Sequence, residues 1–214
     1  MKMTLIFKAG ETIEFIGDSI TDCGREDPAF NPLGNGYVLY VHHLLQSGYP
    51  ELELKILNKG ISGDQVTDLK TRWKPDVLEL LPDWLFIYIG INDVWRFFEG
   101  DRNEAIPLPE FENTYRQCIN GARMNTQAQI RLVSPFLGEK DPVDSFKKRL
   151  GHYQEAIDNL GQEFSLPVIH LQPAFDWAML TKPAFYWTTD RVHPTEVGHM
   201  LIALTLLRAC GFSL

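Results

Sequence analysis

Near the carboxyl end of the 214-residue chain, Asp190 stands three residues ahead of His193, with Pro194 next. A carboxylate at that spacing across a tight turn can accept one imidazole N–H, which leaves the other ring nitrogen free to take a proton near neutral pH. A base of this kind activates a weak nucleophile, and a serine follows a strand-like run at Gly17-Asp18-Ser19. Attack by Ser19 on an acyl carbon, with His193 as base and Asp190 holding its tautomer, is the chemistry these residue types support. The resulting oxyanion needs preorganised donors, the loss of one costing about 3 kcal/mol. The backbone N–H of Ser19, the backbone N–H of Gly60 and the side-chain amide of Asn92 in Gly90-Ile91-Asn92-Asp93 could supply them.

Competing roles exist for each residue. Ser19 could simply cap a helix, and His193 could support the start of the last one. Ser62, in Gly60-Ile61-Ser62-Gly63, is a rival nucleophile more suited to shaping its loop. Neither serine satisfies Gly-x-Ser-x-Gly, because Thr21 and Asp64 occupy the second glycine position. Asp18, Asp22, Asp64, Asp93 and Asp190 could hold a hard cation, but the chain has no His-Glu-x-x-His, and neither metal nor organic cofactor is expected. Trp95, Arg96 and Trp187 stand near Asn92 and Asp190 in sequence and are candidate substrate contacts, the aromatic faces suiting a sugar.

These residues must be brought together by the elements between them. Strand-like runs recur at Thr12 to Ile16, Leu52 to Leu57, Trp84 to Ile89, Ile130 to Val133 and Pro167 to His170. Helical spacing marks Tyr37 to Ser47, Val66 to Leu81, Pro109 to Asn125, Ser145 to Phe164, Pro173 to Leu180 and Thr195 to Cys210. The alternation predicts a three-layer α/β/α sandwich with a five-stranded parallel sheet, flavodoxin-like, spanning residues 1–214 as one domain. Ligands of such sheets bind beyond the carboxyl ends of the strands, where Ser19, Gly60 and Asn92 stand. Two long irregular stretches, Arg25 to Gly36 and Val94 to Leu108, are read as walls of the site.

Composition narrows the partners. With 20 Lys and Arg against 28 Asp and Glu, the formal charge of −8 repels phosphate backbones and anionic lipid alike. Neither nucleic acid nor a membrane is an expected partner. The longest apolar run, Met200 to Leu207, falls short of a bilayer span, and Leu5 to Phe7 is too brief for an export signal. Three cysteines at wide spacing, Cys23, Cys118 and Cys210, indicate no disulfide framework and suit a reducing, cytoplasmic compartment.

Taken in order, the block Phe15-Ile16-Gly17-Asp18-Ser19-Ile20-Thr21-Asp22, the block around Gly60, the block at Asn92 and Asp190-Arg191-Val192-His193-Pro194 resemble the SGNH hydrolases, the GDSL family of esterases and lipases. That resemblance implies Ser19 as nucleophile, Gly60 and Asn92 as oxyanion donors, His193 as base and Asp190 as its orienting acid. Ile20, where the family often has Leu, is a conservative departure. The wider stretches Asn58 to Gly63 and Gly90 to Arg96 are similar to bacterial acetylxylan esterases and related carbohydrate deacetylases, which implies a small acetylated carbohydrate as substrate and a homo-oligomer. A lysophospholipase or thioesterase with the same three residues stays open, as does a non-catalytic flavodoxin-like binding module.

Overall fold

The computed structural model describes residues 4–99 and 104–213. Five strands, β1 (Thr12–Gly17), β2 (Lys55–Gly60), β3 (Trp84–Tyr88), β4 (Gln129–Ser134) and β5 (Val168–His170), form one parallel sheet in the order β2-β1-β3-β4-β5. The continuous apolar run of β3 takes the centre, and all five of its residues are buried. In this order the neighbours β1 and β3 form the topological switch point, where a crevice opens beyond the strand ends.

Helices cover both faces. On one face α2 (Tyr37–Gly48) packs against α9 (Glu196–Ala209). On the other, α5 (Leu108–Asn125) packs against α3 (Val66–Thr71) and α6 (Ser145–Phe164), which also meets α4 (Ile91–Glu99). Alternation along β1 follows from the pleat: Phe15 turns toward α2, stacking on Phe86 at 4.8 Å and meeting Tyr37 edge-on at 5.6 Å. The short helices α1 (Ser19–Asp22), α7 (Gln172–Ala178) and α8 (Ala184–Trp187) complete the chain.

Boundaries depart from the periodic reading where backbone chemistry intervenes. Pro50 opens a 3-10 turn through Leu52, and Glu53 adopts φ +47°, so β2 begins at Lys55 and runs on to Gly60. The helix expected to run unbroken from Val66 to Leu81 changes register at Pro75, which has no N–H to give. A π-type turn over Lys74–Leu78 follows, closed by Glu79 N–H to Lys74 O at 3.0 Å. The stretch from Val94, read as irregular, is helical to Glu99, and its continuation at 100–103 lies outside the described residues.

The sheet buries a carboxyl of its own. Glu14 on β1 is fully buried, and neither carboxyl oxygen has a hydrogen-bond partner among the described residues. Burial pushes its pKa from 4.5 up to about 8, against the pull of Lys59 and Arg72. Folded protein therefore keeps a proton that the unfolded chain gives up above pH 4.5, so the stability this group allows is full below that pH and lost as pH rises toward about 8. Glu14→Gln keeps the shape and removes the titration. Its melting temperature should gain on wild type by several degrees between about pH 5 and pH 9, at ~2–4 °C per kcal/mol. An equal difference at both pH values would show that Glu14 is not the proton's holder.

Candidate active site

Ser19 begins α1 directly after β1, a sharp strand-to-helix change that two neighbours make possible. At Gly17 a Cβ would lie 2.2 Å from Tyr88 O and 2.6 Å from Thr21 Oγ1, so no larger residue fits. Asp18 caps the helix, its Oδ1 accepting the Ile20 N–H at 3.0 Å. As the first helical residue, Ser19 has no intrahelical acceptor for its own N–H.

At the other end of the chain, an antiparallel bridge between Thr188 and Pro194 closes the loop carrying Asp190 and His193. The Thr189 N–H donates to His193 O at 2.8 Å and the Thr195 N–H to Trp187 O at 2.9 Å. Within the loop Arg191 takes φ +75°, an uncommon conformation for a residue with a side chain. Its guanidinium is paired with Glu139 and Asp144, both at 2.9 Å, and its carbonyl accepts the Gly138 N–H at 2.7 Å. These contacts hold the loop in its strained turn.

The loop places His193 Nε2 2.9 Å from Ser19 Oγ, while Nδ1 lies 2.7 Å from Asp190 Oδ2. Asp190 Oδ1 accepts the backbone N–H groups of His193 at 2.7 Å and Val192 at 3.0 Å. Partial burial works against the Asp190 charge, but these donors and the imidazole outweigh it and hold the carboxyl below its ordinary pKa. A carboxylate that stays ionised and is itself immobilised can lock the ring tautomer that leaves Nε2 free for the serine proton. Trp95 stands edge-on to the His193 ring at 5.4 Å.

Ser19 and His193 open into a cleft of about 470 Å³, whose walls also include Gly63, Asn92, Ser62, Trp95, Arg96 and Glu99. Asn92, in the first turn of α4, donates one amide hydrogen to Asp64 O at 2.9 Å and keeps a second. Trp95 and Arg96, the candidate substrate contacts, both line this cleft, and the Arg96 Nη2 approaches Gly63 O at 3.4 Å.

Two expected site residues lie elsewhere. Gly60 is the last residue of β2, its N–H donates to Asn58 Oδ1 at 2.9 Å, and a Cβ there would stand 2.0 Å from Asp22 N. It is a close-packing glycine beneath α1, with no free donor for a ligand. Gly63, three residues on, at φ +87°, lines the cleft instead, and its N–H donates to nothing among the described residues. Trp187, expected to face the substrate, is absent from the cleft and packs against the core, with its carbonyl over Gly198.

The remaining candidates have other partners. Ser62 lines the cleft, but its hydroxyl donates to Asp22 Oδ2 at 2.6 Å and has no imidazole beside it, which suits a loop-shaping role. Asn58, to which the sequence alone assigns no role, donates to Thr21 O at 2.7 Å and Leu33 O at 2.8 Å, tying β2 to both sides of the turn after Ser19. An asparagine at the end of a strand-like run, just before the glycine-rich Gly60-Ile61-Ser62-Gly63, is the signal that points to it. His199 accepts the Tyr37 N–H at 3.1 Å through Nδ1, and burial pushes its pKa down to about 4, so it stays neutral and structural.

Known proteins resemble this chain in both sequence and fold. A family model described as GDSL-like lipase/acylhydrolase matches residues 15–201. An acetylxylan esterase of Geobacillus stearothermophilus is 40% identical over 210 residues, covering 95% of both chains. The crystal structure of that organism's esterase Axe2 superposes with a TM-score of 0.91 at 40% identity, covering all of this chain and 98% of the other. Three further Axe2 structures are of catalytic mutants in which a serine, an aspartate and a histidine are each replaced by alanine. An α/β hydrolase from the metagenome of Lake Arreo matches at 32% identity and TM-score 0.92, over 97% of this chain and 98% of its own. The chain belongs to the GDSL-like lipase/acylhydrolase family.

Proposed function

We propose that the protein is a serine esterase that removes acetyl groups from carbohydrate hydroxyls, with acetylated xylo-oligosaccharides as the substrate class. The observation that carries this reading is the hydrogen-bonded chain from Ser19 Oγ through His193 to Asp190, at 2.9 and 2.7 Å, opening on a cleft that also holds Gly63 and Asn92. Support for the acetyl and sugar specificity comes from the relatives, named as an acetylxylan esterase and an acetyl-xylooligosaccharide esterase.

In the proposed reaction, Ser19 Oγ attacks the ester carbonyl while its proton passes to His193 Nε2. The negative charge formed on the carbonyl oxygen is met by the N–H groups of Ser19 and Gly63 and the amide of Asn92. Collapse expels the sugar alkoxide, which takes the proton from His193 and leaves an acetyl-serine. Water then gives a proton to Nε2 as it attacks, and the second collapse returns that proton to Ser19 and releases acetate. Asp190 stays ionised throughout and balances the transient imidazolium. Trp95 and Arg96 form the wall that the acceptor sugar meets.

Ser19→Ala should lower turnover of p-nitrophenyl acetate by several orders of magnitude at unchanged melting temperature, and Asp190→Asn by about 10⁴. Asn92→Ala should lower kcat by about 10²–10³ with little change in KM. Retained turnover in the serine variant would remove Ser19 from the mechanism. Labelling of Ser19 by a fluorophosphonate is expected, and its failure would favour a non-catalytic binding module.

Acyl length separates this reading from a lysophospholipase or thioesterase. Across a series of p-nitrophenyl esters from acetyl to palmitoyl, kcat/KM should fall steadily as the chain grows. A maximum at long chains would overturn the deacetylase assignment.

Self-association in a cytoplasmic setting completes the proposal. Trp177, Leu180 and Phe185, on α7, α8 and the turn between them, are 68, 78 and 77% exposed, an apolar surface of the kind a second subunit covers. Light scattering after gel filtration should give a multiple of the 24.5 kDa chain mass, reduced by Trp177→Glu. A single-chain mass at micromolar concentration would refute it.

A further inference from the structure

Behind the cleft, one guanidinium touches three of the segments that supply its reacting groups. Arg72, at the end of α3 and only 13% exposed, donates from Nε to Asp64 Oδ2 at 2.7 Å. From Nη1 it donates to Lys59 O at 2.8 Å and to Asp76 Oδ2 at 2.9 Å, and from Nη2 to Gly17 O at 3.0 Å. Gly17 ends β1 two residues before Ser19, and Lys59 is the penultimate residue of β2, just before the Gly63 loop. Asp64 follows Gly63 directly, and its carbonyl accepts the Asn92 amide at 2.9 Å.

We propose that Arg72 is the positioning residue of the oxyanion hole. Its fork clamps the end of β1 to the end of β2 and, through Asp64, sets the Gly63 N–H and the Asn92 amide against the Ser19 hydroxyl. The inference rests on the reading of Ser19, Gly63 and Asn92 as the oxyanion donors. Three donors on three separate strand ends have no covalent reason to share a register, and a displacement of about 1 Å costs on the order of 10² in rate. A planar guanidinium with five donors in fixed directions can bind two carbonyls and two carboxylates together, whereas an ammonium on a flexible stem cannot hold that arrangement. The charge is also needed locally. Burial raises the Asp64 carboxyl above its ordinary pKa, and the Arg72 hydrogen bond and charge pull against that rise. Asp76 differs from the other partners: it binds Arg72 from the helical side, and its one contact with a donor segment is to the Lys59 side chain, accepting from Nζ at 3.2 Å, with no backbone group held.

The test uses Arg72→Lys, which keeps the charge and loses the fork, and Asp64→Asn, which weakens the same link from the loop side without stranding a carboxylate. Turnover of p-nitrophenyl acetate is expressed per serine titrated with a fluorophosphonate, so that misfolded protein does not count. Inhibition by phenylboronic acid, which serine binds as a tetrahedral adduct, reports the oxyanion geometry separately from substrate binding. The expected result in both variants is a fall in kcat per titrated serine of about tenfold or more, with KM within about threefold and the boronate Ki rising in parallel with the loss of kcat. Asp76→Asn should lower the melting temperature and leave kcat and Ki unchanged. Folded Arg72→Lys and Asp64→Asn with kcat and Ki within about twofold of wild type would overturn the proposal, as would a matching loss in Asp76→Asn. Should Asn92→Ala itself retain wild-type kcat, the oxyanion reading falls and the role of Arg72 with it; a large loss in Asn92→Ala beside intact Arg72→Lys rejects Arg72 alone.

Discussion

A single hydrogen bond of 2.9 Å joins Ser19 Oγ to His193 Nε2 across 174 residues of chain, and most of the structure can be read as the means of holding it. Neither partner is on a long rigid element. Ser19 sits on a one-turn helix and His193 in a loop, so each depends on packing at its back. On the serine side, Thr21 of the same turn meets Tyr37 Oη at 3.0 Å, and the Tyr37 N–H donates to His199 Nδ1. His199 lies six residues past His193, so one short chain of contacts runs from the nucleophile's helix through α2 to the helix that follows the base. Neutrality of His199 is part of this, since a protonated ring would have no acceptor for the Tyr37 N–H.

Concentrating polar groups under the strand ends has an energetic cost, and the cost is visible. Burial pushes Asp18 and Asp93 each up to about 7, and one oxygen of each has no hydrogen-bond partner among the described residues. Both use their other oxygen locally: Asp18 caps α1, and Asp93 accepts the Val66 N–H at the start of α3 at 3.1 Å. They stand beside Ser19 and Asn92 in sequence. Buried carboxyls that bind backbone N–H groups give up solvation for placement, and a strained loop at Arg191 does the same on the far side of the cleft. Stability has been traded for geometry on both walls.

Much of this was legible in the residues. The period-2 and period-3.6 runs give all five strands and the sheet's class, because a buried parallel sheet requires near-continuous apolar strands such as Trp84 to Tyr88. Asp190 and His193 were readable because their relation is local: three residues and one turn bring them into contact wherever the loop is placed. Trp187 was misjudged for the opposite reason. Proximity in sequence to Asp190 says nothing about direction, and the bridge from Thr188 to Pro194 turns the chain so that Trp187 packs inward while His193 faces the cleft. Arg72 was invisible for a third reason, since its partners come from three segments that only the folded sheet brings within one side chain's reach.

Gly60 and Gly63 show how a boundary error becomes a functional one. Both follow Asn58 in a run with two glycines three residues apart, and either could offer a backbone N–H to an oxyanion. Which of them does so depends on where β2 stops pairing. The register of β2 with β1 sets Gly17 opposite Gly60, and the Ile61 N–H still reaches Gly17 O at 3.0 Å. Gly60 is therefore spent on letting α1 approach the sheet, and the chain can leave the ladder only afterwards. The first glycine past that point with a left-handed backbone is Gly63 at φ +87°, a conformation that favours glycine and that turns the loop into the cleft beside Asn92. Of the two glycines, the inner one sets how close the Ser19 helix can come, and the outer one is left with an uncommitted N–H on the cleft, where the proposed reaction would develop charge.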